Sequence, residues 1–195
     1  DFPDDNCYSN YSRKVTSRYC EHGDVYQKLP PDTKVQYETI SLALKQYEAS
    51  RCADVRQFMH GDPVFSNCII STSGTKLIDM NGRQGRHLTT SGDCNYDLAK
   101  VLQSLYGYDY IILDVELDRD SEATLVDLRQ YFRDHVEKHY SVSWETLQLL
   151  TASMYFSLIP LHTNIHHHLH FYRLCNKVLQ DSTCYQNSSL VTKNK

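Results

Sequence analysis

"HGDPVFSNCIISTSGTKLIDM", residues 60 to 80, is the stretch on which the reading of this chain turns. Two runs containing β-branched residues lie on either side of Ser73-Gly74, which is a hairpin signal. With Thr72-Ser73-Gly74 as a three-residue connection and Gly74 at its left-handed position, Ser71 opposes Thr75, Ile69 opposes Leu77 and Asn67 opposes Asp79. Directly opposed side chains share one face with Cβ atoms about 4.5 to 5.5 Å apart, so Asn67 and Asp79 are expected to converge on one small space.

An amide oxygen and a carboxylate held together are hard donors that suit Mg²⁺, an ion that takes one or two protein carboxylates and completes its octahedron with phosphate oxygens and water. The pair therefore asks for a phosphorylated ligand. Asp62, on the loop entering the hairpin, is placed to accept a proton from an attacking hydroxyl without ligating the metal, and His60 is left to brace the loop. The order H-x-D-x-x-x-x-N, with an Asp about a dozen residues further on, is the logic of a kinase catalytic loop and its metal-binding Asp.

Outward from this stretch the pattern is helical. Asp32 suits the N-cap of a helix to about residue 50, with Val35, Ile40, Ala43, Leu44 and Tyr47 near one face. Downstream, Leu98, Val101, Leu102 and Leu105 recur at helical spacing over residues 94 to 106, with Asp93 as its cap. "YDYIILDVEL" alternates like a strand or extended segment, and three further helices are expected near 121 to 139, 143 to 159 and 164 to 180. Residues 1 to 31, ending in Pro30-Pro31, read as an approach segment with a short helix from Tyr11 to Tyr19; residues 181 to 195 read as a polar, frayed tail. The expected fold class is α+β and mainly helical, a short catalytic β-hairpin set in a helical body spanning residues 32 to 180.

Composition narrows the partners. At 195 residues with 41% hydrophobic and 23% charged content, the chain fits one domain or a lobe of a larger protein. A net charge of -4, with no basic cluster along the chain, gives no reason to expect nucleic acid or an anionic membrane as partner. "LQLLTASMYFSLIPL" is too short and too often interrupted by polar residues for a membrane span, and reads as a buried helix. The first residues show no secretory signal, and the missing initiator Met suggests processing or an excerpt from a longer protein. Seven cysteines without a C-x-x-C pair point to a reducing, cytoplasmic setting, in which the sequons at Asn10 and Asn187 carry no weight.

Taken together, "HGDPVFSN", "LIDMNGR", "GDCNYDLAKVLQSLYGYDY" and "SLIPLH" resemble the aminoglycoside phosphotransferase and choline kinase superfamily, nearest to its capsule-associated members. The resemblance runs over roughly residues 35 to 172, with the strongest motifs at 60 to 82 and 92 to 107. Gly61 stands where protein kinases usually carry Arg, and Asn81 stands where the capsule-associated relatives tend to carry Arg. The resemblance implies a protein-kinase-like C-terminal lobe that moves the γ-phosphoryl of ATP or GTP to a hydroxyl of a sugar, polyol or amino alcohol such as choline. It makes Asp62 the catalytic base, Asn67 and Asp79 the Mg²⁺ ligands, His60 a loop brace, Asp97 a structural acid behind the loop, and Arg83 a substitute phosphate contact. A Gly-rich phosphate loop and a strand-borne Lys have no counterpart among the seven glycines, so the N-lobe is expected from upstream sequence or a partner chain. The rival reading is a pseudokinase that binds or scaffolds without turnover.

Other features read plainly. His162, His166 and His170 recur at i, i+4, but without a carboxylate or cysteine at ligand spacing they read as a polar helix face. Fifteen tyrosines without a basic stripe read as core and interface residues, and Trp144 as packing at a helix start.

Overall fold

The computed structural model describes residues 7 to 85 and 87 to 182; the polar tail beyond 182 and the sequon at Asn187 lie outside the described residues. Helices α1 (Ser12–Glu21), α2 (Gly23–Tyr26) and α3 (Thr33–Ser50) lead into strands β1 (Val55–Arg56), β2 (Cys68–Ser71), β3 (Gly74–Leu77), β4 (Arg83–Gln84), β5 (His87–Leu88) and β6 (Gly92–Asp93). Helices α4 (Cys94–Leu105), α5 (Tyr108–Ile112), α6 (Arg119–His139), α7 (Trp144–Leu158) and α8 (Ile165–Asp181) complete it. The strands form three separate antiparallel ribbons, β1 with β6, β2 with β3 and β4 with β5. The fold is mainly helical α+β, as the sequence implies. No helix among the described residues is long and apolar enough to cross a membrane.

The core is built around α7, which packs on α8, α4, α3 and α1. A helix enclosed on several sides must be apolar nearly all round, and Leu147, Leu150, Ala152, Tyr155 and Phe156 are fully buried. Its hydroxyls are satisfied by backbone carbonyls: Thr151 donates to Leu147 and Ala99, Ser153 to Leu150 and Ser157 to Met154. That is how "LQLLTASMYFSL" stays buried despite its hydroxyls. Trp144 opens α7 after the Ser143 cap, edge-on to Phe132. Tyrosines contribute to the core as expected, with Tyr19 stacked on Tyr37 and Tyr26 stacked on Phe156.

Two local expectations are overturned. "YDYIILDVEL" begins as helix α5 rather than a strand. Gly107, at φ 97, stops α4 in the left-handed conformation that glycine adopts without steric cost. Tyr108, Ile111 and Ile112 then meet the core at helical spacing. Asp32 occupies the N-cap position of α3, but its side chain makes no cap hydrogen bond and accepts instead from the Tyr172 hydroxyl of α8. On the same helix Val35 is exposed, and Thr33, Gln36, Ile40, Ser41, Leu44 and Tyr47 form the buried face.

One buried carboxylate joins the layers. Asp93, with no solvent exposure, accepts from the hydroxyls of Tyr11 on α1 and Tyr47 on α3, each at 2.6 Å, through Oδ2. Its Oδ1 accepts from the backbone N–H groups of Asp54 and Asn95, each at 3.0 Å, so that it caps α4 as expected while pinning the chain before β1. Removing it strands four donors, each costing about 1 to 3 kcal/mol if left unsatisfied. Asp93→Ala is therefore expected to lose about 3 to 5 kcal/mol, and Tyr47→Phe about 1 to 3 kcal/mol. Denaturant midpoints measure both; an Asp93→Ala midpoint equal to wild type would refute this role.

Candidate active site

The loop from His60 to Asn67 is suspended from one side of α4 and the start of α5. Asp97 accepts the backbone N–H of His60 through Oδ2 and that of Gly61 through Oδ1, both at 2.8 Å. Further along, the Phe65 N–H donates to Ser104 Oγ at 2.9 Å and the Ser66 N–H to Asp109 Oδ1 at 2.7 Å. Asp97 and Ser104 are two helical turns apart, and Lys100 lies between them on the same stripe. Burial raises the Asp97 pKa, an effect partly offset by the two N–H groups aimed at its oxygens.

Gly61 is required by its surroundings. It sits at φ 79, and a Cβ there would lie 2.7 Å from the Asn81 carbonyl oxygen. Asn81 approaches this closely because its N–H donates to the His60 carbonyl at 2.9 Å, tying the loop to the segment after β3.

Asp62 is tied in through both backbone and carboxylate, the latter accepting from Asn67 Nδ2 at 3.4 Å. Its N–H donates to His60 Nδ1 at 3.3 Å, which leaves the ring proton on Nε2, a buried atom without a hydrogen-bond partner among the described residues. Its backbone carbonyl accepts from Asn67 Nδ2 at 2.9 Å, and its carboxylate lies 3.1 Å from Lys100 Nζ. With its nitrogen committed to the loop, Asn67 keeps its amide oxygen free of hydrogen bonds among the described residues.

The hairpin differs from expectation by one residue. Ser71 pairs with Gly74, Ile70 with Thr75, Ile69 with Lys76 and Cys68 with Leu77, so the loop is the two residues Thr72-Ser73. A one-residue slip moves side chains to the other face, and Asn67 consequently stands opposite Ile78, whose N–H donates to the Asn67 carbonyl at 2.9 Å. Direct opposition of Asn67 and Asp79 is thus overturned. Asp79 lies beyond the ribbon at φ 55, a left-handed conformation uncommon outside glycine, which turns the chain as it leaves the strand. Its carboxylate is exposed, without a hydrogen bond or ion pair among the described residues. The ribbon itself is not packed on α4: both of its faces are exposed, and the helix grips the preceding loop instead.

Sequence reasoning missed Lys100, Tyr96 and Lys14. Lys100 is buried; burial lowers its pKa, but negative charge at Tyr96 and Asp62 outweighs this and raises it. Burial raises the Tyr96 phenol, yet the Lys14 and Lys100 cations outweigh burial and lower it, with Lys14 Nζ donating to the hydroxyl at 3.0 Å. The available signal was the spacing Asp97, Lys100, Ser104, a polar stripe on a helix whose other residues are largely buried.

The remaining candidates separate. Arg83 lies exposed on β4 and lines, with Gly61, Asn81 and Tyr96, a small cavity beside the loop. His162, His166 and His170 do not share one helical face, because α8 begins only at Ile165 after the Asn164 cap. It is His167 that meets a carboxylate, Asp114, at 2.8 Å. No group of three His, Cys, Asp or Glu among the described residues is arranged to hold a metal. The six described cysteines are free.

No protein-family model, curated protein or solved structure matches the chain.

Asp97→Ala removes both acceptors from the loop while Asp93 still caps α4. The His60 and Gly61 amides are expected to exchange with solvent at least about tenfold faster, with about 1 to 3 kcal/mol of stability lost; unchanged exchange at both would contradict the clamp. For Lys100 the sign follows from a folded pKa raised above the ordinary 10.5. Its contribution is fully present below 10.5 and is lost as pH rises through the raised value. The stability gap between wild type and Lys100→Met, followed by denaturant titration from pH 7 upward, is expected to narrow only above that point.

Proposed function

We propose that the chain is the C-terminal lobe of a small-molecule kinase, transferring the γ-phosphoryl of ATP, with GTP as the other candidate donor, to a hydroxyl. The observation that carries the reading is the suspended loop. A carboxylate behind the loop holds two of its N–H groups, so Asp62 and Asn67 are presented in a fixed geometry beside a left-handed Asp79. Pre-organisation of this kind is what phosphoryl transfer demands, since the protein supplies positioning and charge rather than covalent chemistry.

In this reading Asp62 orients the acceptor hydroxyl and takes its proton. The Asn67 amide oxygen and the Asp79 carboxylate would hold Mg²⁺, hard donors that suit that ion. When bound, it would supply positive charge to offset what develops on the transferring group. His60 braces the loop through Nδ1, and Asp97 acts through the backbone rather than on substrate. Lys100 holds the Asp62 carboxylate in place.

Ile69, Ile70, Leu77, Ile78 and Met80 are all exposed on or beside the ribbon. Apolar side chains at that position suit one wall of a nucleotide cleft whose other wall and phosphate-covering loop come from an N-lobe on another segment or a partner chain. The 195 residues alone are accordingly expected to hold Mg-ATP poorly, and sub-micromolar binding in calorimetry would overturn the two-wall account.

Substitution separates the roles in the longest native protein, assayed with sugars, polyols and amino alcohols. Asp62→Asn keeps the loop's shape but removes the proton acceptor, so turnover is expected to fall by about 10² to 10⁴ with nucleotide affinity little changed. Asp79→Asn weakens the metal site, so affinity and turnover fall together and excess Mg²⁺ recovers part of the loss. Equal turnover in wild type and Asp62→Asn rejects the assignment, and a blank with every acceptor favours a scaffolding pseudokinase.

A further inference from the structure

Residues far apart in the chain build a basic groove beside the suspended loop. Arg13, Lys14 and Arg18 project from α1, Arg83 and His87 come from the β4–β5 ribbon, and Glu21 is the only carboxylate among the described residues along a groove of about 590 Å³. That volume is ordinary for a small-molecule site. Its charge is not ordinary for this chain, which carries a net -4 overall. Along the sequence the basic residues form no cluster; folding brings together four fixed cations. The side chains of Arg13, Arg18 and Arg83 make no hydrogen bond or ion pair among the described residues. Lys14 is half-buried and held to the Tyr96 hydroxyl at 3.0 Å, which fixes one cation at the inner end.

The groove and the loop share a wall. Asn81, Arg83 and Gln84 line both the groove and the small cavity that reaches Gly61 and Tyr96. Asn81 in turn donates to the His60 carbonyl, two residues from Asp62. The groove therefore adjoins the segment that is tied to the loop carrying the proposed base.

We propose that this groove recognises a phosphomonoester on the acceptor, so that the substrate class is a phosphorylated sugar or polyol with a free hydroxyl. The inference rests on the kinase reading for the hydroxyl's fate and on the groove alone for the anion. A dianion matches several arginine forks, each able to give charge-assisted, bidentate hydrogen bonds. An amino alcohol, by contrast, brings a cation into a field of its own sign. In the transfer the bond between the γ-phosphorus and the bridging oxygen of ATP breaks and a bond from phosphorus to the acceptor oxygen forms. The hydroxyl proton passes to Asp62, and the products are ADP and a doubly phosphorylated acceptor. The same chemistry could instead serve the nucleotide's own phosphates, and the test separates the two sources.

Glycerol 3-phosphate, glycerol, inorganic phosphate and Mg-ATP are titrated into the full 195-residue chain, with binding read by NMR shift changes. Glycerol 3-phosphate is expected to bind with shifts at Arg18 and Arg83, glycerol to show none, and affinity to fall by at least about tenfold in Arg83→Gln and again in Arg18→Gln. Both side chains are unpartnered, so circular dichroism should show an unchanged fold; Arg83→Lys, which keeps the charge without the fork, should fall between. Because the chain alone is expected to hold Mg-ATP poorly, the nucleotide is added until the shifts at Asn67 and Asp79 saturate, and persistence of glycerol 3-phosphate binding at that point supports the acceptor. Displacement by Mg-ATP that depends on the same arginines assigns the groove to the nucleotide and overturns the proposal. Equal binding of glycerol, inorganic phosphate binding that matches the ester, or indifference to both substitutions also overturns it. Because binding is read without turnover, a failed Asp62→Asn assay removes the kinase and leaves this result standing, whereas Asp62-dependent transfer to uncharged acceptors alone removes the groove's role and leaves the kinase.

Discussion

The fully buried Asp93 carboxylate is the constraint on which the rest of this molecule hangs. A charge without solvent is tolerated only when hydrogen-bonded on its open positions, and Asp93 meets that condition by drawing donors from α1, α3, the segment before β1 and the first turn of α4. None of those elements can move away without exposing an orphaned donor. The short β1 and β6 pairing, only Val55 with Asp93 and Arg56 with Gly92, would be marginal by itself and is held in register by the same carboxylate.

With α4 anchored at its first residue, everything one and two turns later along its stripe is positioned. Asp97, Lys100 and Ser104 face the loop, and Asp109 continues the line past Gly107. The loop thus borrows rigidity from a helix packed against the central α7, although the loop and the ribbon beyond it are largely exposed. A site on an open surface can still be geometrically exact when its backbone N–H groups are committed to a buried element. Electrostatics follows the same path: the Lys14 and Lys100 cations lower the Tyr96 phenol, and negative charge at Tyr96 and Asp62 raises Lys100.

Much was legible in advance where a single element decided the outcome. The helices over 94 to 105, 144 to 158 and 165 to 181 follow from apolar spacing and caps, and the hairpin from its turn residues. Errors arose where two elements compete. The alternation in "YDYIILDVEL" predicts a strand or extended segment, but its first residues dock on the core at helical spacing. Asp32 has the chemistry of a cap, yet Tyr172 of α8 claims its oxygen. Hairpin register slipped by one because two-residue and three-residue turns draw on the same residues, and exposed faces exert no burial pressure to choose between them.

By itself the sequence determined the helical body, the existence of a loop and ribbon, and the chemical types at His60, Asp62, Asn67 and Asp79, because periodicity and turn chemistry are local properties of the chain. Tertiary structure alone decided that Asp97 holds the loop by its backbone, that Lys100 sits against Asp62, and that Asp79 leaves the ribbon in a left-handed turn. It alone also gathered Arg13, Lys14 and Arg18 opposite Arg83, roughly seventy residues away, into one field. The physical reason is range: hydrogen bonds and ion pairs between distant residues depend on which faces the core buries, and that choice is made by packing the whole chain at once.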